Sequence, residues 1–112
     1  MMIETVVLNY LNQHLNVSVY AERPESDTGE YVVIEKTGSG RTNRINQSTF
    51  ALQSFGNSLL RAAEINEAVK AAMDGLIELP EVSRSHLNSD YNYTDTSKKR
   101  YRYQAVYDIT HY

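Results

Sequence analysis

The chain has 112 residues, 41% of them hydrophobic and 22% charged, a balance too apolar for disorder and too polar for a membrane protein. Eleven Lys and Arg against fourteen Asp and Glu leave a net charge of −3. The absence of Cys excludes disulfides, thiolate nucleophiles, Cys-ligated zinc and iron–sulfur clusters.

Residues 2–15 are expected to form a helix. Ile3, Val6, Val7, Tyr10, Leu11 and Leu15 recur at offsets of three and four and make one apolar stripe. Val17 to Ala21 alternate as a short strand, and Arg23 to Gly29 form a polar turn broken by Pro24 and Gly29. Glu30 to Lys36, built on Tyr31-Val32-Val33-Ile34, has the character of a buried strand that Gly38-Ser39-Gly40 should end. Residues 44–55 follow as a strand with apolar side chains on both parities: Phe50 and Leu52 on one, Ala51 and Phe55 on the other. Such a strand is either central in its sheet or covered by a partner molecule.

Residues 57–76 are expected to form the second helix, capped by Asn57 or Ser58 and closed by Gly75 and Pro80. Val82 to Tyr93 reads as a strand interrupted near Asn88-Ser89-Asp90, and Thr94 to Lys98 as a turn. Lys99 to Tyr112 is the last strand, with period two sustained throughout. The order α-β-β-β-α-β-β implies a single α+β domain over residues 1–112, with two helices packed on a mainly antiparallel sheet.

No catalytic or cofactor signature emerges. His14, His86 and His111 lack metal-ligand spacing, and Gly38-Ser39-Gly40-Arg41 reads as a hairpin turn, since no helix or Gly-Lys-Ser/Thr follows it. Asp90 and Asp95 have ordinary strand-edge and turn surroundings. The chain is therefore expected to be neither an enzyme nor a cofactor or metal protein. Without a basic-then-apolar start or an apolar run of about 20 residues, it is expected to be soluble and made in the cytoplasm.

Charge is uneven along the chain. Residues 1–40 hold two basic and six acidic side chains, whereas residues 41–112 hold nine basic and eight acidic. The basic excess gathers in Lys98-Lys99-Arg100-Tyr101-Arg102, beside Tyr91, Tyr93 and Tyr103. An acidic end and a basic end suit head-to-tail contact between copies. Aromatics interleaved with Arg and Lys also suit single-stranded nucleic acid, although the chain's isoelectric point near 5.5 does not.

Taken together these segments resemble the small tail terminator proteins of long-tailed bacteriophages, also termed tail-completion, head–tail joining or minor capsid proteins. The resemblance runs through Val19-Tyr20-Ala21-Glu22-Arg23-Pro24, Tyr31-Val32-Val33-Ile34-Glu35 and Phe50-Ala51-Leu52-Gln53-Ser54-Phe55. It continues in Ser58-Leu59-Leu60-Arg61-Ala62-Ala63-Glu64-Ile65, Tyr93-Thr94-Asp95 and Arg102-Tyr103-Gln104-Ala105-Val106-Tyr107-Asp108-Ile109. Phe55 departs from the bulkier Trp or Tyr expected in relatives. The resemblance implies a structural virion protein that forms a ring with copies of itself, commonly a hexamer. Its partners would be the tail tube protein and the head connector, with DNA passing through the lumen without specific binding. Arg41, Arg44, Phe50, Leu52, Lys98, Lys99, Arg100 and Tyr101 are the expected contact residues, and Glu22, Glu25, Asp27 and Glu30 the expected acidic lining. The alternative is a small nucleic-acid-binding module using the C-terminal Tyr and basic hairpin.

Overall fold

The computed structural model describes residues 2–26 and 28–112. Helix α1 (Ile3–His14) leads to a short strand β1 (Ser18–Tyr20), then to strands β2 (Tyr31–Thr42) and β3 (Ile45–Gly56). Helix α2 (Leu59–Asp74) and a 3-10 turn (Gly75–Glu78) precede strands β4 (Val82–Asn92) and β5 (Tyr101–His111). The strands form one sheet in the order β1-β2-β3-β5-β4, in which only β1 and β2 run parallel. The α+β class and the element order match those expected from the sequence. No helix among the described residues is long and apolar enough to cross a membrane.

Both helices cover one face. Val7 and Leu11 of α1, and Ile65, Val69 and Met73 of α2, bury against Val32, Ile34, Phe50, Leu52, Ala105, Tyr107 and Ile109. Period two in β5 delivers Ala105, Tyr107, Ile109 and His111 to that face, as its sequence pattern predicts. Ser58 caps α2 by accepting a hydrogen bond from the Arg61 amide at 3.1 Å, and His14 stacks on Tyr10 at the end of α1.

A polar clasp locks α2 to the sheet. Asp90 on β4 accepts from Asn66 at 2.9 Å and from the Lys70 ammonium at 3.1 Å. The Tyr107 hydroxyl lies 3.1 Å from the Lys70 carbonyl and 2.9 Å from the Asp74 carboxylate. Burial, reinforced by Asp74, raises the Tyr107 phenol well above its ordinary range.

Two expectations about β2 and β3 change. Gly38, Ser39 and Gly40 do not end the strand; they sit within β2, paired with Thr49, Ser48 and Gln47. Ladder bonds join backbone groups, so side-chain-poor glycines extend a strand whose partner is already in register. The turn instead falls at Asn43 and Arg44, with φ of 51° and 66° between the paired Thr42 and Ile45. Two left-handed residues in a two-residue loop are the signature of a type I′ hairpin. Phe50 and Leu52 are also not subunit contacts: both are fully buried beneath the helices of their own chain. β3 is apolar on both parities because it is central, between β2 and β5.

The passage from β3 into α2 is tight. A Cβ on Gly56 would lie 2.5 Å from the Ala62 amide nitrogen, which is backbone and cannot swing aside. Gly56→Ala is expected to destabilise the domain by about 1–3 kcal/mol, measured as a lower urea midpoint at unchanged m-value. The raised Tyr107 phenol contributes stability that is fully present below pH 10.0 and lost as pH rises past it. Alkaline titration of tyrosinate absorbance should therefore show one phenol ionising only with unfolding, and Tyr107→Phe should remove that component.

Candidate functional site

Two features lie open once the core is packed. The first is the distal half of the β2–β3 hairpin. β2 pairs with β3 along its whole length, but its other edge meets β1 only at Tyr31, Val32 and Val33. From Glu35 to the turn its residues are exposed. A twelve-residue strand spans roughly 40 Å, close to the 44 Å long axis of the molecule. Arg41 and Arg44 stand at the tip, exposed and without an intramolecular side-chain partner among the described residues. Lys36, nearer the body, pairs with Glu4 at 3.2 Å.

The second feature lies at the opposite end of the sheet, on the face the helices leave open. Tyr31 and Phe55 stack there with ring centroids 4.6 Å apart and, with Val33, form a small second core. Three guanidinium groups roof it: Arg23, Arg100 and Arg102 lie 4.9, 5.3 and 5.5 Å from the Phe55 ring centre. Arginine suits this place because its planar head packs on an aromatic face while its edge donates outward. Arg100 donates to the Gly56 carbonyl at 3.1 Å and to the Gly29 carbonyl at 2.6 Å. Arg102 donates to the Tyr93 carbonyl at 2.9 Å and lies 4.4 Å from the Tyr93 ring centre.

The basic loop divides accordingly. Asp95 organises it, its Oδ1 accepting from the Ser97 amide, the Ser97 hydroxyl and the Lys98 amide. The Ser97 hydroxyl is the leading reason the Asp95 carboxyl titrates below its ordinary range. Lys99 takes a left-handed φ of 51°, and Lys98 and Lys99 project into solvent. Arg100, expected with the lysines as a contact residue, turns inward as a clamp and remains only half-exposed. Tyr101 is half-buried opposite Gly56.

The acidic loop is not a separate pole either. Glu22 and Glu25 are exposed, but Glu30 is half-buried and bonded to Arg61 at 2.9 Å, and Asp27 lies outside the described residues. Arg100 reaches the Gly29 carbonyl and so ties the basic loop to the acidic one. The acidic and basic segments of the sequence are neighbours in space, and the head-to-tail polarity read from their order along the chain is not present.

Several of the remaining polar groups bond to one another. A shallow groove of about 250 Å³ on the open face is lined in part by Thr49, Arg84, His86 and Asp108. Asp108 accepts there from Thr49 at 2.8 Å and from Asn88 at 3.1 Å. His86 and His111 sit on opposite faces of the sheet: His86 is opposite Asp108, while His111 shares a 2.9 Å hydrogen bond with buried Ser48. Asp90 serves the α2 clasp and Asp95 the loop, so the two do not act as a pair.

Sequence reasoning found the arginines at the hairpin tip and the lysines of the loop. It missed Arg23 and Arg102 as partners of Phe55, because nothing local links residues 23, 55 and 102. Comparison with protein-family models and with characterised proteins finds no match for the chain.

The division of the basic loop is testable. Lys98→Glu with Lys99→Glu is expected to leave the urea midpoint within about 0.5 kcal/mol of wild type, as exposed charges contribute little. Arg100→Ala removes a charged donor from two carbonyls and the roof of two rings. It should cost about 2 kcal/mol or more.

Proposed function

We propose that this chain is a structural virion assembly protein of a long-tailed phage or prophage. In this reading it forms a homo-oligomeric ring at the head-proximal end of the tail. The ring ends polymerisation of the tail tube and provides the joint to the head connector. The observation that carries the reading is the β2–β3 hairpin, with one open edge and two arginines at its tip that have no side-chain partner among the described residues. β3 is held by β5 out to Asn46, but beyond Val33 the outer edge of β2 has no strand partner among the described residues, and an open strand edge is an attachment point for another chain. The resemblance of the sequence segments to tail terminators supports the same reading.

Arg41, Arg44, Lys98 and Lys99 are the contact residues in this proposal. Glu22 and Glu25 are the exposed carboxylates that would line a lumen and repel passing DNA.

A second reading has one observation in its favour. Tyr91 and Tyr93 are exposed on the open face, and Arg102 packs on the Tyr93 ring, an arrangement that stacks single-stranded bases in other modules. Tyr31 and Phe55, beneath their arginine roof, have no free ring face to add to it.

Light scattering across micromolar concentrations separates the two. The assembly reading expects rings or concentration-dependent oligomers, or, for a chain that stays monomeric alone, a density at one end of purified tails in negative stain. A monomer that is absent from tail ends and binds single-stranded DNA with a steep salt dependence overturns it.

A further inference from the structure

The ring reading leaves open what the hairpin arm touches, and the outer surface of α2 offers the complement. Leu60, Glu64, Glu67 and Ala71 follow one another at offsets of four, three and four, so they form a single stripe pointing away from the sheet. All four are exposed, and Leu60, at 73%, is the most exposed large apolar side chain among the described residues. Between Leu59 and Glu81 there are five acidic side chains and two basic ones, Arg61 and Lys70. Each basic group is already shared between two carboxylates, Arg61 between Glu30 at 2.9 Å and Glu64 at 3.8 Å and Lys70 between Glu67 at 2.7 Å and Asp90 at 3.1 Å, so net negative charge remains.

The arm has the opposite character. From Lys36 to Gln47 it carries three basic side chains and no acidic one, and Ile45 beside the turn is 42% exposed. Arg44 holds a left-handed conformation that glycine would occupy without cost, and that an arginine pays about 1 kcal/mol or more to adopt. Its side chain recovers nothing from its own chain among the described residues.

We propose that the β2–β3 arm of one copy docks across the outer surface of α2 of the next copy, with Ile45 against Leu60 and Arg41 and Arg44 against Glu64 and Glu67. This inference rests on the ring reading and names its interface. The two surfaces differ, so the contact is heterologous and each copy keeps one of each free to continue, as a closed ring requires. An apolar anchor surrounded by complementary charge is the usual anatomy of an energetically central contact. Nucleic acid is the less favoured occupant of the arm. Two guanidinium groups on a chain of net charge −3 make a weak phosphate site, and phosphates offer no partner for Ile45.

The test is a charge swap read by sedimentation velocity, with circular dichroism to confirm folding. Arg41→Glu with Arg44→Glu, and separately Glu64→Lys with Glu67→Lys, should each shift the oligomer toward the 12.8 kDa monomer. Combining all four substitutions, or mixing the two variants, should restore association. Leu60→Ser, at an exposed position, should weaken association without loss of fold. An oligomer indifferent to both reversals overturns this interface and leaves the ring reading standing, as does a loss that the combination fails to restore. A wild type that is monomeric alone and absent from tail ends overturns both. An arm reversal that abolishes duplex DNA binding and spares association assigns the arm to nucleic acid and overturns the proposal.

Discussion

A central strand that is apolar on both faces must be covered on both, and two helices on one side cover only one. β3 imposes this condition on the whole molecule. Phe50 and Leu52 take the helix layer, and Phe55 is left on the far side with Tyr31. Among the described residues no helix or second sheet covers that face. Three arginines brought from the loop after β1 and from the start of β5 do the work of one, their stems and planar heads excluding water while the charges stay at the surface.

That solution explains why the two most charged segments lie side by side. The arginine roof needs the basic loop over the Phe55 end of the sheet, and the β1–β2 connection must cross the same end because β1 and β2 are parallel. Arg100 bonding Gly29 is the joint between them. Segments seventy residues apart in sequence thereby lie side by side, while Lys98 and Lys99 and the arginines of the hairpin tip stay exposed.

The edges of the sheet show a similar division. Asn12 seals the outer edge of β1, its side chain accepting from the Val19 amide and donating to the Val19 carbonyl. β4 carries two register shifts, near Val82 and near Leu87, of the kind that turn an edge away from strangers. β2 has one shift, at Lys36 and Gly38, and beyond it an uninterrupted, lightly substituted edge. Two of three edges are defended, and the undefended one belongs to the arm.

The sequence by itself determined the elements and their facing wherever periodicity is local. The α1 stripe, the Ser58 cap and the alternation through Ala105, Tyr107 and Ile109 were all legible, because each depends on residues within a few positions of one another. Glycine in β2 misled, since strand continuation there depends on a partner strand and not on side chains. Only the tertiary structure decided that Phe50 and Leu52 are core, that Arg100 is a clamp while Lys98 and Lys99 are free, and that the acidic and basic loops meet. Each of those outcomes depends on contacts between residues tens of positions apart. Such contacts form only when the helix layer claims one face of the sheet and leaves the other to whatever side chains the loops can bring.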